Sequence, residues 1–298
     1  MSDFSATDVA FTGFRFVRER PRAAAAWAAV QLVLGGLASL IMIGVAGPSM
    51  MQMQALRGKT PADPTAALGQ LGRVLPAELL TMVVALVLYA LLNAAAARAM
   101  LRTDDRRLGY LRFGADELRQ FLLLLLTCAI VFGAMIGASV VIGILMAFLG
   151  VAAKAFAGLA AMVLTFACGC AALYCWVRLS LAAPLTFDEG RVDLFGSWAL
   201  TRGRFWKMFG TYVLVLALGV LVALLVLMIS AAVAAVAGGG LEGAGQLFHP
   251  DMSSLAAYFT PVRIVLLLVN TLASALILPL FLTPAPELYR QLRTQDVF

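Results

Sequence analysis

Met208–Leu241 reads MFGTYVLVLALGVLVALLVLMISAAVAAVAGGGL, 34 residues without one charged side chain. A hydrocarbon core about 30 Å thick is crossed by roughly 20 residues of helix. The stretch does not alternate with the period of two that a barrel strand requires. Backbone groups in lipid must find partners within their own segment, so it reads as a helix. Five more charge-free runs of spanning length occur: Ala23–Ala46, Leu79–Ala97, Phe121–Ala153, Ala155–Val177 and Ile264–Pro286. Composition agrees, with 62% hydrophobic and 13% charged residues and a mean hydropathy of +0.95, where soluble domains carry roughly 25% charged residues. The expected fold is all-α: a polytopic integral membrane bundle of six transmembrane helices. The third and fifth runs exceed one bilayer and are expected to tilt or extend beyond it.

Asp3, Asp8 and Glu19 precede the first run, which is also longer than the apolar core of a cleaved signal, about 7–15 residues. It is therefore expected to be a retained span. The net charge of +6 is not a nucleic-acid signal once its placement is considered. With six alternating crossings, 17 of the 22 Lys and Arg fall on one side. Only Arg57, Lys59, Arg73, Lys154 and Arg263 fall on the other. The positive-inside rule then expects both termini in the cytoplasm. Cys128, Cys168, Cys170 and Cys175 all fall within predicted spans, so no disulfide framework is expected.

Three parts are expected: residues 1–22 as a cytoplasmic amphipathic interfacial segment, 23–286 as one six-span domain, and 287–298 as a short tail. In the first, Thr7 or Asp8 is placed to cap a helix with Ala10, Phe11, Phe14 and Val17 on one face. A frayed basic tail is the alternative. Pro21 marks the bend into the first span. Gly47–Leu75 reads as an outer loop with a short helix at Pro64–Val74. Thr103–Gly109 reads as a polar turn with local charge pairing. The third and fourth spans meet in a tight turn near Lys154. Further on, Pro184 ends the fourth span's exit, Asp188-Glu189-Gly190 makes a turn, and Asp193 caps a helix with Leu194, Phe195 and Trp198 on one face. Asp251 is placed to cap Met252–Phe259. Pro261 opens the sixth span, whose inner end is bent by Pro279, Pro284 and Pro286. Gly13–Arg22, Tyr110–Phe121 and Ser197–Phe209 each mix arginine and aromatics before a span, which is consistent with three in-out-in hairpins or with interface chemistry alone.

The stretch Phe195-Gly-Ser-Trp-Ala-Leu-Thr-Arg-Gly-Arg-Phe-Trp-Lys-Met-Phe-Gly210 interleaves aromatics and cations at a span's edge, where lipid headgroups lie. It resembles a signature of the bacterial membrane domain attached to some glycerophosphodiester phosphodiesterases, and of that domain's uncharacterised stand-alone relatives. The resemblance is strongest over Arg178–Leu218 and implies a six-helix membrane module. The soluble phosphodiesterase barrel has no counterpart among these residues, so none of its metal or catalytic residues carries over.

Signs of chemistry are few. No ionisable residue lies deep in a span, where a proton path or catalytic centre would place one. His249, the only histidine, sits in an outer loop beside Pro250 and Asp251, without the partners a triad or metal site needs. Cys168-Gly-Cys170 and the methionines could suggest a soft metal, but helix packing and gap filling are the commoner explanations. No nucleotide-binding loop is present. The expectation is a non-enzymatic protein without cofactor or metal. It would bind anionic membrane lipid or a protein partner through a basic-aromatic collar of Trp198, Arg202, Arg204, Phe205, Trp206 and Lys207. The alternative is a small-molecule or lipid transporter with a polar midplane site beside Asn93 and Asn270.

Overall fold

The computed structural model describes residues 4–55, 64–102, 107–152, 154–237, 240 and 250–295, and every regular element among them is helical. The helices are α1 (Ala6–Ala10), α2 (Thr12–Glu19), α3 (Pro21–Ala55), α4 (Pro64–Leu101), α5 (Ala115–Ala152), α6 (Lys154–Leu179), α7 (Ala182–Glu189), α8 (Gly196–Leu200), α9 (Phe205–Ala237), α10 (Leu255–Tyr258), α11 (Pro261–Leu282) and α12 (Pro284–Gln295). A 3-10 turn spans Arg107–Tyr110. Six helices, α3, α4, α5, α6, α9 and α11, are long and apolar enough to cross a membrane. The chain is a multi-pass helical membrane protein.

Sequential spans pack as three hairpins, α3 with α4, α5 with α6, and α9 with α11. Helices α3, α4, α9 and α11 form the bundle proper, because α11 lies against both α3 and α9. The α5–α6 hairpin flanks it. Within the most apolar stretch of each span, 44% of residues are buried in α4, 6% in α5 and none in α6. The alanines of α4 explain its central position: Ala95, Ala96 and Ala99 let α3 approach, and Trp27, Leu88 and Leu92 fill the same cluster. A second cluster joins Phe4 and Val9 to Val177, Leu181, Leu185, Met208, Leu288 and Leu292. It brings both ends of the chain to one end of the bundle, as an even number of crossings demands. That end also holds α7, α8 and the start of α9, and is called the collar end below.

Several expectations about segment boundaries are corrected. Gly47–Leu75 is mostly helix, because α3 continues through Pro48 to Ala55 and Pro64–Val74 is the first part of α4. The first two hydrophobic runs are thus lengthened by the flanking sequence, since a formed helix propagates at little cost. Ser5, not Thr7 or Asp8, caps α1, accepting the Asp8 amide at 3.3 Å. The face that docks is Val9, Ala10, Thr12, Gly13 and Phe16, whereas Phe11 is exposed and tilts against Phe14. Pro184 does not end the fourth span. The break falls at Ser180–Leu181, and Pro184 sits in the first turn of α7, where its missing N–H costs nothing. Gly190, at φ 68°, closes α7. Leu194 is buried while Phe195 points outward, so these two share no face. Ser254 caps α10, and the Asp251 carboxylate receives bonds from Ser253 that hold it below the usual carboxylate range, the hydroxyl more than the amide.

The proline reading at the sixth span agrees with the structure at Pro261 and Pro284, whereas Pro279 lies within continuous α11 and Pro286 within α12. Thr260 caps α11 with Pro261 at its start, and the helix breaks at Thr283 before Pro284. Residues 284–295 form the helix α12, whose Leu288 and Leu292 are buried, in place of most of the expected tail. The elements that precede the three hairpins differ in kind: two helices, a 3-10 turn with left-handed Leu108 and Tyr110, and the five-residue α8. Their shared arginines and aromatics are therefore not carried by a repeated secondary structure. His249 and the Asp104-Asp105-Arg106 segment lie outside the described residues.

Candidate functional site: an arginine and aromatic collar

At the collar end, span termini are held by buried arginines. Arg98 lies in the last turn of α4 and Glu117 in the first turn of α5, placements that suit the partial charges of helix ends. The Arg98 guanidinium, in a residue 4% exposed, donates to Glu117 Oε1 at 2.7 Å and to the Tyr110 carbonyl. Asp116 approaches at 3.5 Å. Glu117 is itself 7% exposed, so the charge is neutralised inside the protein. Next to it, Trp27 Nε1 donates to the Gly109 carbonyl at 2.8 Å. Gly109 has φ 66°, and a Cβ there would sit 2.9 Å from Ala26 Cβ, so conformation and space both require glycine. Arg20 donates to the Ala99 carbonyl at 2.7 Å and lies over the Phe16 and Tyr110 rings. These bonds seat α2 and the 3-10 turn on the bundle.

Arg178 is the counterpart in the last turn of α6, and its environment differs. It is 6% exposed. Nη1 donates to Thr201 Oγ1 at 3.0 Å, and the guanidinium lies 4.9 Å from the Trp198 ring centroid and 5.7 Å from that of Tyr174. The Arg178 carbonyl accepts the Ser197 hydroxyl at 2.7 Å, which fastens α8 to the end of α6. Among the described residues no carboxylate pairs with Arg178, and its Nε is buried without a hydrogen-bond partner. Among the described residues, Arg178, Phe195, Trp198, Ala199 and Arg202 line a cavity of about 690 Å³, and none of these is acidic.

The six collar residues expected from sequence therefore divide. Trp198 and Arg202 line this cavity. Phe205 packs on Tyr174 at 4.9 Å and on Phe209 at 5.9 Å, closing the inner end of the α6–α9 contact with the Trp176–Tyr212 pair. Trp206 is 78% exposed. Lys207 reaches back to the Phe4 ring at 4.8 Å, and Arg204 sits at the start of α9, its carbonyl accepting the Met208 amide. Sequence reasoning missed Arg178, Arg98 and Glu117. The available signal was the position of each arginine in the last turn of a span, with Tyr174 one turn before Arg178.

The polar midplane site is not assembled. Asn270 is exposed on α11 and donates to its own helix at the Leu266 carbonyl, 2.9 Å away. Asn93 is near the collar end of α4, level with the cluster on which Leu278 of α11 packs. Leu278 lies eight residues beyond Asn270, about 12 Å along the helix. Neither asparagine lines the collar cavity. A second cavity, of about 410 Å³, lies between α2, the end of α4 and α12. Asp8, Glu19 and Glu287 balance Arg15, Arg20 and Arg290 around it. Cys168 and Cys170 are exposed and two residues apart on α6, a spacing that points side chains away from each other. No group of three or more His, Cys, Asp or Glu that could hold a metal occurs among the described residues.

These features define a six-span helical membrane protein with a basic-aromatic collar at the end that carries its termini. Comparison with family models, curated proteins and solved structures finds no match to this chain.

Proposed function

We propose that this is a non-enzymatic inner-membrane protein that engages the anionic headgroup layer of the cytoplasmic leaflet through its collar. The observation that carries this reading is the acid-free pairing of Arg178 and Arg202 beside Trp198, with Phe195 and Trp206 projecting outward. Tryptophan suits the headgroup level because its ring is apolar and its N–H polar. Basic residues near an anionic leaflet contribute about 1 kcal/mol each. The charge asymmetry supports placing the collar on the cytoplasmic side. Replacing Arg202, Arg204 and Lys207 together with Gln is expected to reduce the anionic fraction of the lipids that co-purify in polymer-bounded discs, as read by mass spectrometry. An unchanged lipid profile would refute the collar as the lipid-binding surface.

A further inference from the structure

We propose that Arg178 and Arg202 form a discrete site for the phosphate of one net-anionic glycerophospholipid, a saturable site rather than part of the diffuse attraction around it. The proposal rests on the collar reading above and gives it a ligand and a stoichiometry.

The two buried arginines of the collar end make the case by contrast. Arg98 has Glu117 at 2.7 Å, an anion supplied by the chain itself. Arg178 is equally buried and, among the described residues, has none. A guanidinium withdrawn from water is costly unless an anion and hydrogen bonds compensate it. Its fork is also held in place: Thr201 takes Nη1, while Trp198 and Tyr174 hold the plane, leaving Nε buried without a partner. A pre-oriented arginine with an unused donor suits a phosphate oxygen, which arginine binds through parallel N–H bonds. Arg202 lines the same cavity and supplies the second cation.

The lining also selects among headgroups. Among the described residues no carboxylate borders the cavity, so the ammonium of a zwitterionic headgroup finds no counter-charge from them there. The Trp198 and Tyr174 rings, which can bind such a cation, already carry the Arg178 guanidinium. A net-anionic headgroup meets neither problem. A membrane lipid is favoured over free phosphate because the remaining lining is apolar, namely Phe195, Trp198 and Ala199, with exposed Trp176 and Trp206 on the adjoining spans.

The test is native mass spectrometry of the full-length, delipidated protein titrated with dioleoylphosphatidylglycerol, with dioleoylphosphatidylcholine as comparison. The expected result is one adduct that saturates first and prefers phosphatidylglycerol. Arg178→Gln is expected to weaken this first adduct about tenfold or more, the scale of one lost charge-assisted hydrogen bond. Because Arg178 also fastens α8, Arg202→Gln, at an exposed position, serves as the second variant and is expected to weaken the same adduct without changing thermal unfolding. A first adduct unaffected by Arg202→Gln would overturn the site even where Arg178→Gln misfolds. Excess inorganic phosphate is expected to leave the lipid adduct in place; full displacement would overturn the lipid assignment. Anionic preference that survives both variants refutes this site alone, whereas absence of any anionic preference refutes the collar reading itself.

Discussion

Replacing Arg98 with Met should destabilise the protein more than replacing its partner Glu117 with Leu, and the double variant should cost less than the two singles together. Arg98→Met leaves Glu117 buried without its cation and removes the donor to the Tyr110 carbonyl. Losing one partner of a buried pair costs about 3–5 kcal/mol. Glu117→Leu leaves Arg98 with the Tyr110 carbonyl and with Asp116 at 3.5 Å, an acid already shared with Arg119 at 2.8 Å. Its cost is therefore nearer the 1–3 kcal/mol of one unsatisfied buried group. With both charges replaced, neither ion is stranded, and coupling of about 1–3 kcal/mol should remain. The assay is equilibrium unfolding in mixed micelles titrated with dodecyl sulfate, followed by tryptophan fluorescence. Additive single costs, or Glu117→Leu as the costlier variant, would refute the internal neutralisation of Arg98 and with it the contrast drawn with Arg178.

Two further outcomes are expected. A Cβ on Gly13 would collide with the backbone of α11 at Leu280, so Gly13→Ala should lift α2 and speed tryptic cleavage at Arg15 and Arg18, by the scale of an overpacking cost of about 1–3 kcal/mol; unchanged cleavage would show that α2 is not docked this way. Reporter fusions at Met1 and Phe298 should both read cytoplasmic, and an external signal at either end would refute the orientation.

Much of the fold was legible because lipid imposes one demand everywhere. A charge-free run long enough to cross, whose backbone must pair within itself, has only the helix available. Pro261 and Pro284 were equally readable, since a missing N–H acts on the chain's own neighbouring turn. The docked face of α2 was not readable. Phe11 and Phe14 are more hydrophobic than Gly13, but the close approach to Leu280 selected the face that carries glycine. The same limit hid Arg178. In the sequence it is one arginine among 22 Lys and Arg, and its cation suits the end of any span.

The sequence by itself thus determined six helices and the sidedness of their charge, because both follow from hydropathy and from where ions can stand relative to a bilayer. Only the tertiary structure decided which of those ions are compensated. Glu117 reaches Arg98 because α5 starts beside the end of α4, whereas α6 ends against α8 and its C-cap, where Ser197 and Thr201 offer hydroxyls and no carboxylate. Compensation depends on a distance of a few ångströms between residues 19 or more positions apart, and hydropathy and charge counts carry no information about that distance.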